Sequence, residues 1–292
     1  RSGHRRIPGV PLVPGHEVVG KVKQAGAAVK GVKVDDRVGL GWISGSCQFC
    51  DQCMGGDQHL CLSKQETIVR RHGGFADTVR CQGTWAIKLP ETLHAATAGP
   101  LFCGGVTVVN PILQFGVKPT DRVGVVGIGG LGHLAIKFLK AWGCEVTAFT
   151  SSESKRAEAQ QLGAHHVVAS NDKAALKGII NTLDFIIVTV NVTLDWAAYA
   201  RALRPRGRLH FVGAVLEPFG IGAFNLMGGQ KQLSASPVGG PQMLRTMLEF
   251  CARHDIRPQT EMFPMSKVND ALEHLRAGKA RYRLILKNDF AA

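Results

Sequence analysis

The sequence lacks any uninterrupted apolar stretch approaching the roughly 20 residues that span a bilayer, and its start, Arg1-Ser2-Gly3-His4-Arg5-Arg6, lacks the apolar core of a signal peptide. Both absences argue against a membrane or secreted protein, so a cytoplasmic location is expected. Basic helices and basic-aromatic platforms are also missing. The formal net charge is +13, but Lys and Arg are scattered along the chain, so nucleic acid is not an expected partner. A dispersed basic surface would still draw in a polyanionic cofactor by long-range attraction. There is no internal repeat and no low-complexity tract.

What is present suits two domains. With 292 residues, 45% apolar and 20% charged, the chain is long enough for two cores. Its first hundred residues are short of helical signals. They read as β-rich, with runs at Glu17 to Ala25, Arg37 to Trp42 and Phe75 to Arg80 punctuated by Gly and Pro. After about Asp121, apolar runs alternate with amphipathic segments, the alternation expected of βαβ units around a parallel sheet. Strands are predicted at Arg122 to Val126, Glu145 to Phe149, His166 to Ala169, Phe185 to Val188 and Arg208 to Val212, making a sheet of five or six strands. Leu131, Leu134, Ala135, Phe138, Leu139 and Trp142 fall at helical spacing and form one apolar stripe. The rhythm changes near Val117-Lys118-Pro119-Thr120. After a helix from Met243 to Arg253, the segment Met262 to Phe263, a helix from Lys267 to Ala277 and a strand from Tyr282 to Lys287 are expected to return to the first domain.

Eight cysteines in a chain of this kind are expected to be reduced, and four of them fall within fifteen residues. Cys47, Cys50, Cys53 and Cys61 stand as C-x2-C-x2-C-x7-C in a Gly-rich stretch. Four thiolates so placed can close a tetrahedron around zinc with no position left open, which makes the site structural. An iron-sulfur cluster and simple free thiols are the competing uses.

Val123-Gly124-Val125-Val126 runs into Gly127-Ile128-Gly129-Gly130-Leu131-Gly132 and then into the amphipathic helix. This places a GxGxxG fingerprint at a strand-to-helix turn, where the glycines allow a tight turn, close approach of a pyrophosphate and close helix packing. The helix N-terminus favours the phosphate anions. Past the next strand, where a carboxylate would hold the ribose of NAD, the chain reads Phe149-Thr150-Ser151-Ser152-Glu153-Ser154-Lys155-Arg156. Hydroxyls and a cation suit the 2′-phosphate of NADP. Glu153 is the counter-indication, unless it serves as an N-terminal helix charge.

His16 and Glu17, in Val13-Pro14-Gly15-His16-Glu17, and Cys103, in Gly99-Pro100-Leu101-Phe102-Cys103-Gly104-Gly105, each have an ordinary reading as a turn residue or a core residue. Spacing alone does not bring them together. From about Pro11 onward, however, the chain resembles the medium-chain zinc alcohol dehydrogenases, most closely the cinnamyl-alcohol-dehydrogenase-like branch with its bacterial aldehyde reductases. The resemblance rests on Pro14-Gly15-His16-Glu17, Asp36-Arg37-Val38-Gly39, the four-cysteine loop, Pro100 to Thr107 and Gly127 to Gly132.

That resemblance implies a β-rich GroES-like catalytic domain over residues 1–116, completed by 257–292, and a Rossmann domain with a doubly wound parallel sheet over 117–256. It implies that His16 and Cys103 bind a catalytic zinc, with Glu17 as an alternate ligand or a group beside it. Thr107 would touch the nicotinamide, while Thr150, Ser151, Ser152 and Lys155 would surround the adenosine phosphate. Thr189 and Gly213 would line the ribose and nicotinamide path, and a homodimer built on the Rossmann domain would follow. The implied reaction is hydride transfer between NADP(H) and a primary alcohol or aldehyde.

The pattern departs from the family in one place. Members carry a Cys-His-Ser/Thr-Asp segment about twenty residues ahead of Gly-His-Glu, and none of the fifteen residues before His16 is Cys. The chain also opens on Arg1 rather than Met. A catalytic domain missing its front is therefore expected, with His4 the one nearby imidazole. The rival expectations are a catalytically dead chain that binds only NADP(H) and structural zinc, and a zinc-free quinone or enone reductase, against which His16 and Cys103 argue.

Overall fold

The computed structural model describes residues 12–290. The chain forms two compact units, one running to Cys103 and taking in Gly239–Ala252 and the chain from Thr260, the other comprising Gly104–Val238 and Arg253–Gln259.

In the first unit, β1 (Val18–Lys21) pairs antiparallel with β2 (Arg37–Leu40), placing Val18 opposite Leu40. The next strand, β3 (Ile43–Gly45), pairs with the short β4 (Gln65–Glu66), and β2 pairs on its other side with β5 (Ile87–Lys88). The strands are shorter than the sequence runs suggest. Phe75 to Arg80 forms no ladder; instead the N–H groups of Gly73, Gly74 and Phe75 donate to the carbonyls of Val13, Gly15 and Pro14 at 2.7–2.9 Å. Helix α1 (Asp51–Met54) lies inside the cysteine loop, and α2 (Ala95–Ala98) leads into Cys103. Leu40, Ile43, Trp85, Ile87, Leu101 and Phe102 are large buried side chains of this unit, on its strands and in the turns before β5 and Cys103.

The second unit begins with α3 (Gly104–Gln114), buried from Gly104 through Ile112. Its Asn110 amide donates to the Val238 carbonyl at 3.3 Å. The sheet follows with β6 (Arg122–Val126), β7 (Glu145–Thr150), β8 (His166–Ala169), β9 (Leu183–Val188), β10 (Leu203–Phe211) and β11 (Gln232–Ala235). All five pairings are parallel, in the order β11-β10-β9-β6-β7-β8. The order turns back at β6, and in open sheets of this kind ligands bind beyond the strand ends at such a reversal. The helices are α4 (Gly132–Trp142), α5 (Arg156–Leu162), α6 (Lys173–Lys177), α7 (Trp196–Ala202) and α8 (Phe224–Met227). On α4 the predicted stripe buries Leu134, Ala135, Phe138 and Leu139. Trp196, Tyr199, Phe149, Val188 and Phe211 form a second cluster of buried side chains.

After α9 (Pro241–His254), the chain forms β12 (Thr260–Pro264), α10 (Val268–Arg276) and β13 (Arg283–Lys287), with β12 and β13 parallel. The boundaries expected at 116/117 and 256/257 are displaced. The first crossing falls at Cys103, because the apolar α3 packs with α4 in the second unit, and Gly239–Ala252 belongs to the first unit. Sequence rhythm marks where strands begin. It does not say which unit buries a helix. No single helix among the described residues is long and apolar enough to cross a membrane.

Candidate functional site

The four cysteines of the loop converge, with their sulfurs all within 4.8 Å of one another. The Sγ atoms of Cys47 and Cys53 lie 3.8 Å apart. A tetrahedral zinc with sulfurs at about 2.3 Å requires S–S edges of about 3.8 Å, so this donor set fits that ion. Local backbone prepares it. The N–H groups of Phe49 and Cys50 donate to the Cys47 sulfur at 3.5 and 3.3 Å and hold its pKa down to about 6. The Cys53 N–H also favours the Cys50 thiolate, but burial and the three neighbouring sulfurs outweigh it and push Cys50 up to about 11. Four sulfurs this close cannot all ionise by themselves. A cation among them removes the conflict.

A second group joins residues far apart in sequence. His16 Nε2 lies 3.3 Å from Cys103 Sγ, and a Glu17 oxygen completes a set within 4.8 Å. An ion shared at about 2.0 Å from nitrogen and about 2.3 Å from sulfur would hold those atoms about 3.5 Å apart, so the pair fits zinc as well. The chain brings them together by close packing. A Cβ at Gly41 would sit 2.1 Å from the Phe102 carbonyl oxygen, so only glycine lets that backbone pass beside the residue preceding Cys103. The His16 ring is held edge-on to Trp42, with centroids 4.9 Å apart. Glu17 is paired with Arg283 of β13. Burial works against the Arg283 charge, but the adjacent Glu17 carboxylate and Cys103 outweigh it and hold its pKa above the ordinary value. His4 lies outside the described residues.

The glycine loop belongs to the second unit and leaves β6 for α4. Gly127 has φ +92°, and a Cβ at Gly132 would sit 1.9 Å from the Gly127 oxygen, whereas a Cβ at Gly129 would meet nothing within 4 Å. The first and last glycines therefore serve the turn and the helix packing, and the middle one faces open space, the cradle a pyrophosphate needs. Thr189 does not leave its hydroxyl pointing into that space; it donates to Val126 O at 2.9 Å and Gly127 O at 3.2 Å, tying the ends of β9 and β6 together. A Cβ at Gly213 would sit 2.0 Å from the Val190 oxygen. Leu131 precedes the first residue of α4, and Gly130 lies between it and the open glycine.

Beyond β7, Lys155 reaches back to donate to Ile128 O at 2.8 Å, placing its ammonium over the loop. Thr150 is buried and accepts from Ser152 N–H at 3.2 Å, Ser151 is exposed, and the Ser152 and Ser154 hydroxyls lie 2.7 Å apart. Glu153, the counter-indication to a phosphate, is exposed and paired with Arg156 at 2.6 Å, so its charge is partly offset. Thr107 is buried on α3.

Sequence reasoning missed Arg283, Trp42 and His133. Arg283 lies 266 residues from its partner, and no spacing signals it. His133 directly follows Gly132, so its neighbourhood was the one available sign.

Comparison with known proteins agrees with this geometry. Residues 1–91 match the model of the alcohol dehydrogenase GroES-like domain, and residues 130–253 match that of the zinc-binding dehydrogenases. The chain is 51% identical to an aldehyde reductase of Synechocystis over 97% of its own length and 84% of the relative's. It is 36% identical to a solved cinnamyl alcohol dehydrogenase from Sorghum bicolor, with TM-score 0.86, covering 94% of this chain and 81% of that one. A cinnamyl alcohol dehydrogenase from Helicobacter pylori solved with NADP(H) is 28% identical at TM-score 0.86, covering 94% and 82%.

Proposed function

The chain belongs to the zinc-containing medium-chain alcohol dehydrogenases, in their cinnamyl-alcohol-dehydrogenase-like branch, and on that premise we propose that it interconverts primary alcohols and aldehydes using NADP(H) and zinc. The observation that carries the reading is the convergence of His16, Glu17 and Cys103 from positions up to 87 residues apart. One imidazole, one thiolate and one carboxylate suit a zinc that keeps a position for substrate, whereas the four-sulfur loop suits a closed structural ion. When bound, zinc supplies Lewis acidity toward the substrate oxygen and NADP(H) donates or accepts the hydride.

The protein's own residues hold and orient. Trp42 fixes the plane of the His16 ring, and the ion pair with Arg283 keeps Glu17 directed toward the metal ligands. Gly127, Gly129, Gly130, Leu131 and Gly132 present backbone to the pyrophosphate. Thr150, Ser151, Ser152 and Lys155 take the adenosine phosphate, supported by the reach of Lys155 over the loop. Thr107 contacts the nicotinamide, and Thr189 and Gly213 shape the ribose path. The GroES-like part carries the metal and the small alcohol or aldehyde, and the Rossmann part carries the cofactor.

A cytoplasmic location, with a reducing NADPH pool, accords with thiol ligands in both metal groups, since such a compartment keeps thiols reduced. A homodimer built on the Rossmann part accords with the exposure of Leu216, Phe224 and Met227 in the second unit and of Leu233 on its edge strand β11. Light scattering showing a monomer would refute the dimer.

The test is elemental analysis of protein purified without chelator, followed by aldehyde-dependent NADPH oxidation. Two zincs per chain and turnover with an aromatic aldehyde are expected, with NADPH preferred over NADH. A single zinc and no turnover would refute the proposal.

A further inference from the structure

One polar neighbour of the glycine loop comes from the helix that follows it: His133, fully buried on α4. Its ring Nδ1 lies 2.9 Å from Gly129 O, and Gln259 N–H donates to its Nε2 at 3.2 Å. Because Nε2 accepts, Nδ1 carries the proton and donates to the Gly129 carbonyl. That oxygen also accepts the His133 backbone N–H at 3.1 Å. Two donors thus pull the Gly129 carbonyl toward the helix. In a planar trans peptide the N–H points opposite to the C=O, so the Gly130 N–H is turned away from the helix, on the side where a pyrophosphate would sit. One turn further along the same face of α4, Lys137 Nζ donates to Arg257 O at 2.8 Å. Residues 133 and 137 therefore hold the segment Arg253–Gln259, the last stretch of the second unit before the chain leaves it at Thr260.

We infer that His133 is a positioning residue for dinucleotide binding: its Nδ1–H sets the Gly129–Gly130 peptide for the cofactor's pyrophosphate, and its Nε2 anchors that loop to the departing segment. This rests on the reading of Gly127 to Gly132 as the NADP(H) loop. It separates the two ring nitrogens, because an Asn side chain places an amide N–H near Nδ1, whereas Gln places its amide near Nε2.

NADPH fluorescence titration of the zinc-loaded protein tests it without reliance on turnover. His133→Leu is expected to weaken NADPH binding about tenfold, the effect of losing one well-placed buried hydrogen bond. His133→Asn should bind within about twofold of the unaltered protein, and His133→Gln should resemble His133→Leu. A thermal melt identifies any variant that fails to fold, and the Asn against Gln comparison stands if Leu is lost. Equal NADPH affinity of H133N and H133Q, or wild-type affinity in H133L, would overturn the inference while leaving the loop assignment intact. Absence of NADPH binding by the unaltered protein would overturn the loop assignment and this inference with it.

Discussion

Acid should weaken the second unit in large part through His210. His210 on β10 is fully buried, with Nδ1 and Nε2 each 2.9 Å from a serine hydroxyl, Ser234 and Ser236. The rings of Phe115 and Phe185 lie at 5.2 and 6.0 Å, and Arg208, the charged group beside it, stacks on Phe115 at 3.8 Å. Burial, with a further push from Arg208, lowers the His210 pKa from 6.5 to about 4. The folded state therefore keeps the ring neutral while the unfolded chain takes up a proton near pH 6.5. Stability from this site is intact above pH 6.5, falls as pH drops toward 4, and changes no further below that. The whole window is worth about 3 kcal/mol, and the part between pH 7 and pH 5 about 2 kcal/mol. Urea unfolding followed by tryptophan fluorescence reads it, since Trp196 is buried in the same unit. The unaltered protein should lose about 2 kcal/mol more than His210→Gln between pH 7 and pH 5. Parallel losses in the two proteins would refute the assignment of the acid sensitivity to this ring.

Other expectations concern the ligand groups. Arg283→Met deprives Glu17 of its cation, so kcat should fall about tenfold at unchanged zinc content; full activity, or loss of the second zinc, would show that the pair has another purpose. Lys155→Ala should cut the preference for NADPH over NADH by about tenfold, measured as the ratio of the two kcat/KM values, and an unchanged ratio would remove Lys155 from the phosphate site. Cys50→Ser should leave one zinc fewer by elemental analysis and lower Tm by roughly 10 °C or more, because the loop loses the ion that reconciles its thiolates. An unshifted melt would mean that the loop folds without metal.

Features set by neighbouring residues were legible in the sequence. The four cysteines lie within one loop, so their spacing alone predicts a closed sulfur site. The strand, glycines and helix around Gly127 are contiguous, and α4 emerges where its apolar stripe predicts, because helical burial follows a period that the chain displays locally. Strand limits in the first unit were harder to place. Gly73–Phe75 spends its N–H groups on Val13–Gly15, and such a partner cannot be inferred from the run's own composition.

Tertiary structure alone decided which distant groups meet. His16 and Cys103 are 87 residues apart, Arg283 and Glu17 are 266 apart, and His133 and Gln259 are 126 apart. Local periodicity carries no record of such pairs. They depend on which backbones can approach, as Gly41 allows beside Phe102, and on which unit buries a helix such as α3. The sequence by itself determined the ligand types and the loops that carry them; packing decided which of them share a site, because side-chain contact is a property of distance in space and not of separation along the chain.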